Sequence, residues 1–298
     1  MEQLRGRTAL ITGASRGLGQ RIARALAKQN VNVALVARSG EALEQLANEL
    51  LPLGVRAKPI AYDLSDLSRL DYLLDRAEAA VGPIDILVNN AAIDAMRPFT
   101  EESDAEIEQM IRLDLLSPML LTRKMVTRML ANGSGHVVNV ASLAGKVGTA
   151  YMVSYAAAKA GLIAFTHSLR AELRDSGVRA SVIVPGFIAE DGMFGRRQAT
   201  HALKVSRLLG TSKPEQVADA VVAALLTDKA EIAVSPSPVR LVSALQQISP
   251  DAVAWLQRKT GISRMLRAVA EAERSERAEP QPAAAKPSNQ PASVPPRA

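Results

Sequence analysis

Seven short apolar runs recur along the chain, and the six stretches between them carry apolar residues at helical spacing. The runs fall at Thr8–Thr12, 31–37, Ala57–Ala61, 84–89, 135–141, 179–184 and Glu231–Val234. Helices are predicted over 20–29, 40–51, 66–81, 104–130, 155–175 and Pro214–Thr227. A strand that is apolar throughout is buried on both faces, and a helix between each pair supplies the crossover that parallel strands need. The pattern therefore implies an α/β fold, a doubly wound parallel sheet with helices on both faces. Ser212-Lys-Pro-Glu215 reads as a capping-box start for the last of these helices.

The first run, Thr8–Thr12, passes directly into Gly13-Ala-Ser15-Arg16-Gly17-Leu18-Gly19, and Ile22, Ala23 and Leu26 follow at helical spacing. Strand, glycine turn and helix start together form a phosphate cradle. Glycine allows the tight turn, the backbone can approach an anion, and the helix dipole favours negative charge there. The spacing is Gly-x-x-x-Gly-x-Gly rather than the dinucleotide fingerprint Gly-x-Gly-x-x-Gly.

Further along, Tyr155 stands four residues before Lys159 in Ser-Tyr-Ala-Ala-Ala-Lys-Ala-Gly. Alanines favour a helix, which would put both side chains on one face. A lysine cation beside a phenol favours the phenolate, turning the tyrosine into a usable general acid or base. Ser142 ends the run at 135–141 and completes a candidate trio.

These motifs resemble the short-chain dehydrogenase/reductase family. The resemblance rests on Thr12-Gly-Ala-Ser-Arg-Gly-Leu-Gly19, Asp63-Leu64, Asn89-Asn90-Ala91-Ala92, Ser142, Tyr155-x-x-x-Lys159 and Pro185-Gly186, in the family's order, over roughly residues 5–235. It implies a Rossmann-like sheet of about seven strands and hydride transfer between a nicotinamide and a carbonyl or alcohol carbon. It also implies that Tyr155 donates the proton, that Ser142 hydrogen-bonds the same oxygen, and that Lys159 tunes Tyr155 and holds the nicotinamide ribose. Gly13, Ser15, Arg16, Gly17, Leu18, Gly19, Asp63, Leu64, Asn90, Ala91, Tyr155, Lys159, Pro185, Gly186 and Ile188 become the expected cofactor contacts, with Asp63 at the adenine and Asn89 closing the sheet beside it.

Cofactor choice can be read from the second strand. Folds that bind NAD usually end this strand in an acid that holds the ribose hydroxyls. Here it ends Leu35-Val-Ala37-Arg38, without the acid. Arg38 and Arg16 would instead grip a 2′-phosphate by charge-assisted hydrogen bonds, which favours NADP(H) over NAD(H).

Two positions depart from the family pattern. Asp114 stands where the family has an asparagine that anchors a water linked to the lysine, and it is counted with the catalytic group. After Pro185-Gly186 the chain reads Phe187-Ile-Ala-Glu190-Asp191, without the family's threonine for the carboxamide. Residues 188–211, the expected lid, mix Met193, Phe194, Leu203, Leu208 and Leu209 with Arg196, Arg197, Lys204 and Arg207. The apolar part suggests a lipophilic carbonyl or alcohol substrate.

The expected organisation is a catalytic domain over 1–238, a helical extension over 239–272 and a disordered Pro/Ala-rich tail over 273–298. The extension is basic and carries Trp255, Leu256, Ile262 and Leu266. It is expected to pack on its own domain or on a sister subunit of a homo-oligomer, with Trp255 filling a core gap. The competing expectation is a peripheral contact with a membrane. There is no cysteine, and His136, His167 and His201 have no ligand spacing, so no metal site is expected. The net charge of +6 comes from interspersed basic and acidic residues with few aromatics, which argues against nucleic acid. No signal peptide or long apolar span is apparent, so a cytoplasmic location is expected. Two other functions fit parts of the pattern, a non-catalytic NADP-sensing module and a sugar or polyol dehydrogenase.

Overall fold

The computed structural model describes residues 4–189, 210–236 and 238–278. Seven parallel strands form one sheet in the order β3-β2-β1-β4-β5-β6-β7. These are β1 (Thr8–Thr12), β2 (Asn32–Ala37), β3 (Ala57–Ala61), β4 (Ile86–Asn89), β5 (Gly135–Val140), β6 (Val178–Pro185) and β7 (Glu231–Val234). The helices between them are α1 (Gly17–Lys28), α2 (Gly40–Leu50), α3 (Leu70–Val81), α4 (Asp104–Ile111), α5 (Ser117–Ala131), α6 (Val153–Glu172) and α7 (Pro214–Thr227). Three more follow the sheet: α8 (Val239–Ile248), α9 (Pro250–Lys259) and α10 (Ile262–Ala278).

Alternation along the central strands explains why their runs are apolar on both faces. In β1, Ala9 and Ile11 enter the core shared with α1, α2 and α7, whereas Leu10 enters the core shared with α3 and α5. In β2, Val33 and Leu35 take the first side and Ala34 and Val36 the second. The strand order reverses between β1 and β4. Ligand crevices of doubly wound sheets open at such a switch, beyond the strand C-termini.

Two boundaries differ from expectation for identifiable reasons. The single helix expected over 104–130 is interrupted by a π-helical turn at Arg112–Leu116. Pro118 has no N–H for the Asp114 carbonyl, and its ring crowds that carbonyl, so the backbone widens there. The helix at Pro214 is capped at Lys213, whose N–H donates to Gln216 Oε1 at 2.8 Å. Ser212 does not cap it. Ser212 is buried, and its backbone pairs with Phe187 and Ala189 after β6.

The extension packs on its own domain. Leu266 and Val269 of α10 join Met96, Met110, Met152 and Tyr155 in one buried cluster, and Val253 of α9 is also buried. Trp255 corrects its expected role, because it is 54% exposed with the Lys259 ammonium 6.0 Å from its ring centre. It lies two residues from Val253, so the helical turn carries it away from the packed face. The boundary placed at residue 273 also moves. Helix α10 continues to Ala278, the Met96 N–H donates to Glu273 Oε2 at 3.3 Å, and Arg274 lies 3.3 Å from Glu101. The rest of the expected tail lies outside the described residues. Among the described residues, no helix is long and apolar enough to cross a membrane.

Near the N-terminal end of β5, away from the crevice, His136 is buried with Nε2 at 2.8 Å from Ser181 Oγ. Ser181 donates its own proton to Lys229 O at 2.7 Å, so its oxygen accepts and the neutral imidazole carries its proton on Nε2. Burial lowers His136 to about 4. The unfolded chain takes up this proton near pH 6.5 and the folded chain only near 4, so stability is lost as pH falls through that window. Between pH 6.5 and 5 the loss from this residue should be about 2 kcal/mol. Urea melts at the two pH values should show the wild-type loss exceeding that of His136→Asn. Equal losses would mean that His136 does not titrate in this window.

Candidate functional site

Gly13 holds the left-handed turn at the end of β1 with φ +67°. Gly19 sits so close to the turn that a Cβ there would lie 2.1 Å from Gly13 O, so no side chain fits. Helix α1 then begins at Gly17 with no side-chain cap and no acid in its first turn. Its first N–H groups and its dipole are thus left for an anion. Thr12 ties the turn to the next strand: its Oγ1 accepts from the Asn90 N–H at 2.9 Å and the Ala91 N–H at 3.1 Å. Thr12 opens the motif that carries the family resemblance, but its spacing assigns it no role beyond the strand.

This turn forms one side of a cavity of about 880 Å³. Gly13, Ser15, Arg16, Gly17, Leu18, Arg38, Asp63, Leu64, Asn90 and Ala91 line one part of it. Ser142, Tyr155, Lys159, Pro185, Gly186 and Ile188 line another part of the same cavity. The expected site residues are therefore brought together, with three exceptions. Gly19 packs behind the turn, and Asp114 lies behind Lys159 with no exposed surface. Asn89 is turned into a buried ladder, where its Nδ2 donates to Thr122 Oγ1 at 2.9 Å and to Asn139 Oδ1 at 2.8 Å. Glu190 and the lid residues up to Leu209 lie outside the described residues.

Lys159 and Asp114 make the tightest electrostatic contact of the site. Lys159 is 2% exposed, and its Nζ lies 3.0 Å from Asp114 Oδ2. Asp114 Oδ1 accepts the Ile93 N–H at 2.9 Å, which pins the loop after β4. The π-helical turn presents the carboxylate inward. Burial is the larger influence and pushes the Asp114 carboxyl up, while the Lys159 ammonium and the Ile93 N–H pull it back. Tyr155 is buried one helical turn from Lys159, whose ammonium lies 5.5 Å from the centre of the phenol ring. Ser142 Oγ accepts the Ala144 N–H at 3.2 Å, which leaves its own proton free for another acceptor.

At the other end, Asp63 is held below the ordinary carboxylate range, first by the Ser65 N–H and also by the charge of Arg38. Ser39 joins the lining there, and its hydroxyl makes no capping bond to α2. Its place beside Arg38 could have flagged it in the sequence. The uncapped α1 terminus, the basic groups at Arg16 and Arg38, and a slot beside Asp63 and Leu64 could together hold a dinucleotide. Val253, Leu256, Ile262 and Leu266 from the extension also line the cavity. No motif announced them.

The chain is similar to several known proteins. A family model described as short chain dehydrogenase matches residues 7–201. Ketoacyl reductase HetN of Nostoc sp. (strain PCC 7120) is 42% identical over 267 residues, covering 88% of this chain and 92% of that protein. The 3-oxoacyl-(acyl-carrier-protein) reductase FabG of Escherichia coli (strain K12) is 34% identical over 186 residues, covering 62% of this chain and 75% of its own length. Among solved structures, a metagenomic short-chain oxidoreductase in complex with NADP superposes with a TM-score of 0.66 at 32% identity, covering 78% of this chain and 97% of that one. An actinorhodin polyketide ketoreductase variant with NADPH superposes with a TM-score of 0.71 at 27% identity, covering 78% and 95%.

The buried pair generates a stability prediction. Asp114→Leu leaves the Lys159 ammonium without a counter-charge in a buried place, which should cost about 3–5 kcal/mol. Asp114→Asn keeps a carbonyl oxygen for the Ile93 N–H or the ammonium and should cost clearly less. Denaturant unfolding of the two variants separates these outcomes. Equal losses would show that packing, not charge, is what Asp114 supplies.

Proposed function

The chain belongs to the short-chain dehydrogenase/reductase family, and from that premise we propose that it is an NADP(H)-dependent reductase of a lipophilic ketoacyl-type carbonyl compound. The observation that carries this reading is the sharing of one cavity by the glycine turn, Arg16 and Arg38 with Ser142, Tyr155 and Lys159. The name of the relative at 42% identity supports the ketoacyl part, and the solved structures with NADP or NADPH support the cofactor. A bound nicotinamide supplies the hydride for reduction or accepts it in the reverse direction.

The chain's own residues would do the rest. Tyr155 donates its phenolic proton to the substrate oxygen as negative charge develops there. Ser142, with its hydroxyl proton uncommitted, donates a second hydrogen bond to the same oxygen. Donors fixed before the reaction stabilise that charge without reorganising. Lys159 supplies the cation beside the phenol, and Asp114 acts as a positioning residue that holds the ammonium in place. Arg38, Arg16 and Ser39 would take the 2′-phosphate. The uncapped start of α1 would take the pyrophosphate.

A binding module without turnover is not favoured, because Ser142, Tyr155 and Lys159 are all present around the cavity. A sugar or polyol substrate is not favoured either, since the extension lines the cavity with aliphatic side chains.

Tyr155→Phe removes the proton donor and keeps the ring. Reduction of a β-ketoacyl thioester, followed by NADPH absorbance, should fall by about two orders of magnitude or more while NADPH binding persists. Turnover near the wild-type rate in that variant would remove Tyr155 from its assigned role. Arg38→Asp should weaken NADPH binding by about 2 kcal/mol or more, because a charge-assisted contact becomes a repulsion. NADH binding should change much less. Calorimetric titration of both cofactors tests this, and equal losses would show that Arg38 does not read the 2′-phosphate.

A further inference from the structure

We propose that the C-terminal extension is a specificity element, in which Leu256 and Ile262 form an apolar wall that reads the aliphatic part of the substrate. The inference rests on the hydride-transfer reading above and names residues that the catalytic motifs leave out.

Three observations carry it. First, the extension forms part of the same cavity as Tyr155. Leu256 and Ile262 line that cavity, and Leu266 of α10 packs in one cluster with Tyr155, Met96 and Met152. Second, the residues differ in burial. Leu266 is 1% exposed and serves as packing, whereas Leu256 and Ile262 are only half-buried although they line the cavity. Half-buried aliphatic surface facing a cavity gains by covering itself with another apolar group.

Third, the polar groups that the extension brings to the cavity, Gln257 and Thr260, have donors committed to the protein. Gln257 Nε2 donates to Gly148 O at 2.9 Å, fastening α9 to the loop before α6. Thr260 Oγ1 donates to Leu256 O at 2.8 Å, within its own helix. Arg258, Lys259, Arg264 and Arg267 make the extension basic but do not line the cavity, and Arg267 Nε donates to Tyr151 Oη at 3.0 Å. Among the described residues, the extension's basic side chains stay off the cavity, and the surface that Leu256 and Ile262 present to it is aliphatic. An unbranched alkyl or acyl chain attached to the reacting carbonyl fits this wall. A phosphorylated or polyhydroxylated substrate would leave its polar groups unpaired against it.

The test uses the full chain with NADPH and a series of 2-alkanones from about four to twelve carbons. Each methylene that reaches the wall should raise kcat/KM about threefold to fourfold. In Leu256→Trp the larger side chain occupies the wall, so the ratio of kcat/KM for the ten-carbon to the four-carbon ketone should fall at least about tenfold. Ile262→Trp repeats the measurement from the neighbouring helix, with melting temperature and NADPH affinity establishing that each variant is folded. An unchanged chain-length ratio in both folded variants would overturn the inference and leave the hydride-transfer reading intact.

A second readout does not depend on turnover. Binding of the fluorescent fatty acid cis-parinarate to the NADPH-loaded Tyr155→Phe protein should weaken at least about tenfold when Leu256→Trp is added. If no ketone is reduced by any form while this weakening is seen, the wall stands and the reductase reading fails. If parinarate binds both forms equally, the wall does not read aliphatic chains.

Discussion

An ammonium group buried to 2% exposure requires a counter-charge, and the site is organised around how Lys159 obtains one. The partner is Asp114, which comes from another helix and is itself fully buried. To deliver it, the backbone between α4 and α5 opens into a π-helical turn at the place where Pro118 withholds its hydrogen bond. The other carboxylate oxygen holds Ile93 in the loop after β4. One ion pair thereby joins helix α6, the α4–α5 turn and the loop that flanks the cavity. Tyr155, one turn from Lys159 on α6, inherits its position from this arrangement.

The opposite end of the cavity depends on a different constraint, which is close backbone approach. Gly19 lies so near Gly13 that any side chain would collide, and this contact sets the angle at which α1 leaves β1. Because α1 starts without a side-chain cap, its N–H groups remain available to an anion. Arg16, Arg38 and Ser39 stand around the same part of the cavity. The oxidoreductase chemistry of the family thus has two anchored ends on one sheet, joined at the reversal of strand order between β1 and β4.

Much of this was legible in the residues themselves. Each strand that is apolar on both faces announced a covered parallel sheet, and the order of the motifs carried the family resemblance. The glycine turn and the Tyr155–Lys159 pair could be found because their spacing is local: a turn of a few residues, or positions i and i+4 on one helix. Ser142 stands out only by its place after β5 and by the order of the motifs. Ser39 was within reach, standing next to Arg38. Asp114 stands out in the sequence as a departure from the family pattern, which implies a water-linked arrangement, whereas the carboxylate contacts Lys159 directly. The apolar residues after β7 imply helices that pack, but a lone tryptophan does not say which way it faces, and Trp255 is half-exposed.

The residues alone thus determined the layer architecture, the glycine turn and the Tyr155–Lys159 pair, because hydrophobic period, backbone freedom at glycine and helical spacing act over short stretches of chain. Tertiary structure decided what lies far apart in sequence and close in space. It paired Lys159 with Asp114, fastened Gln257 to Gly148, joined Glu273 to Met96 and brought Leu256 and Ile262 to the cavity. The physical reason is that an aliphatic residue on a helix specifies only that it be covered, and which surface covers it is settled when the helix docks.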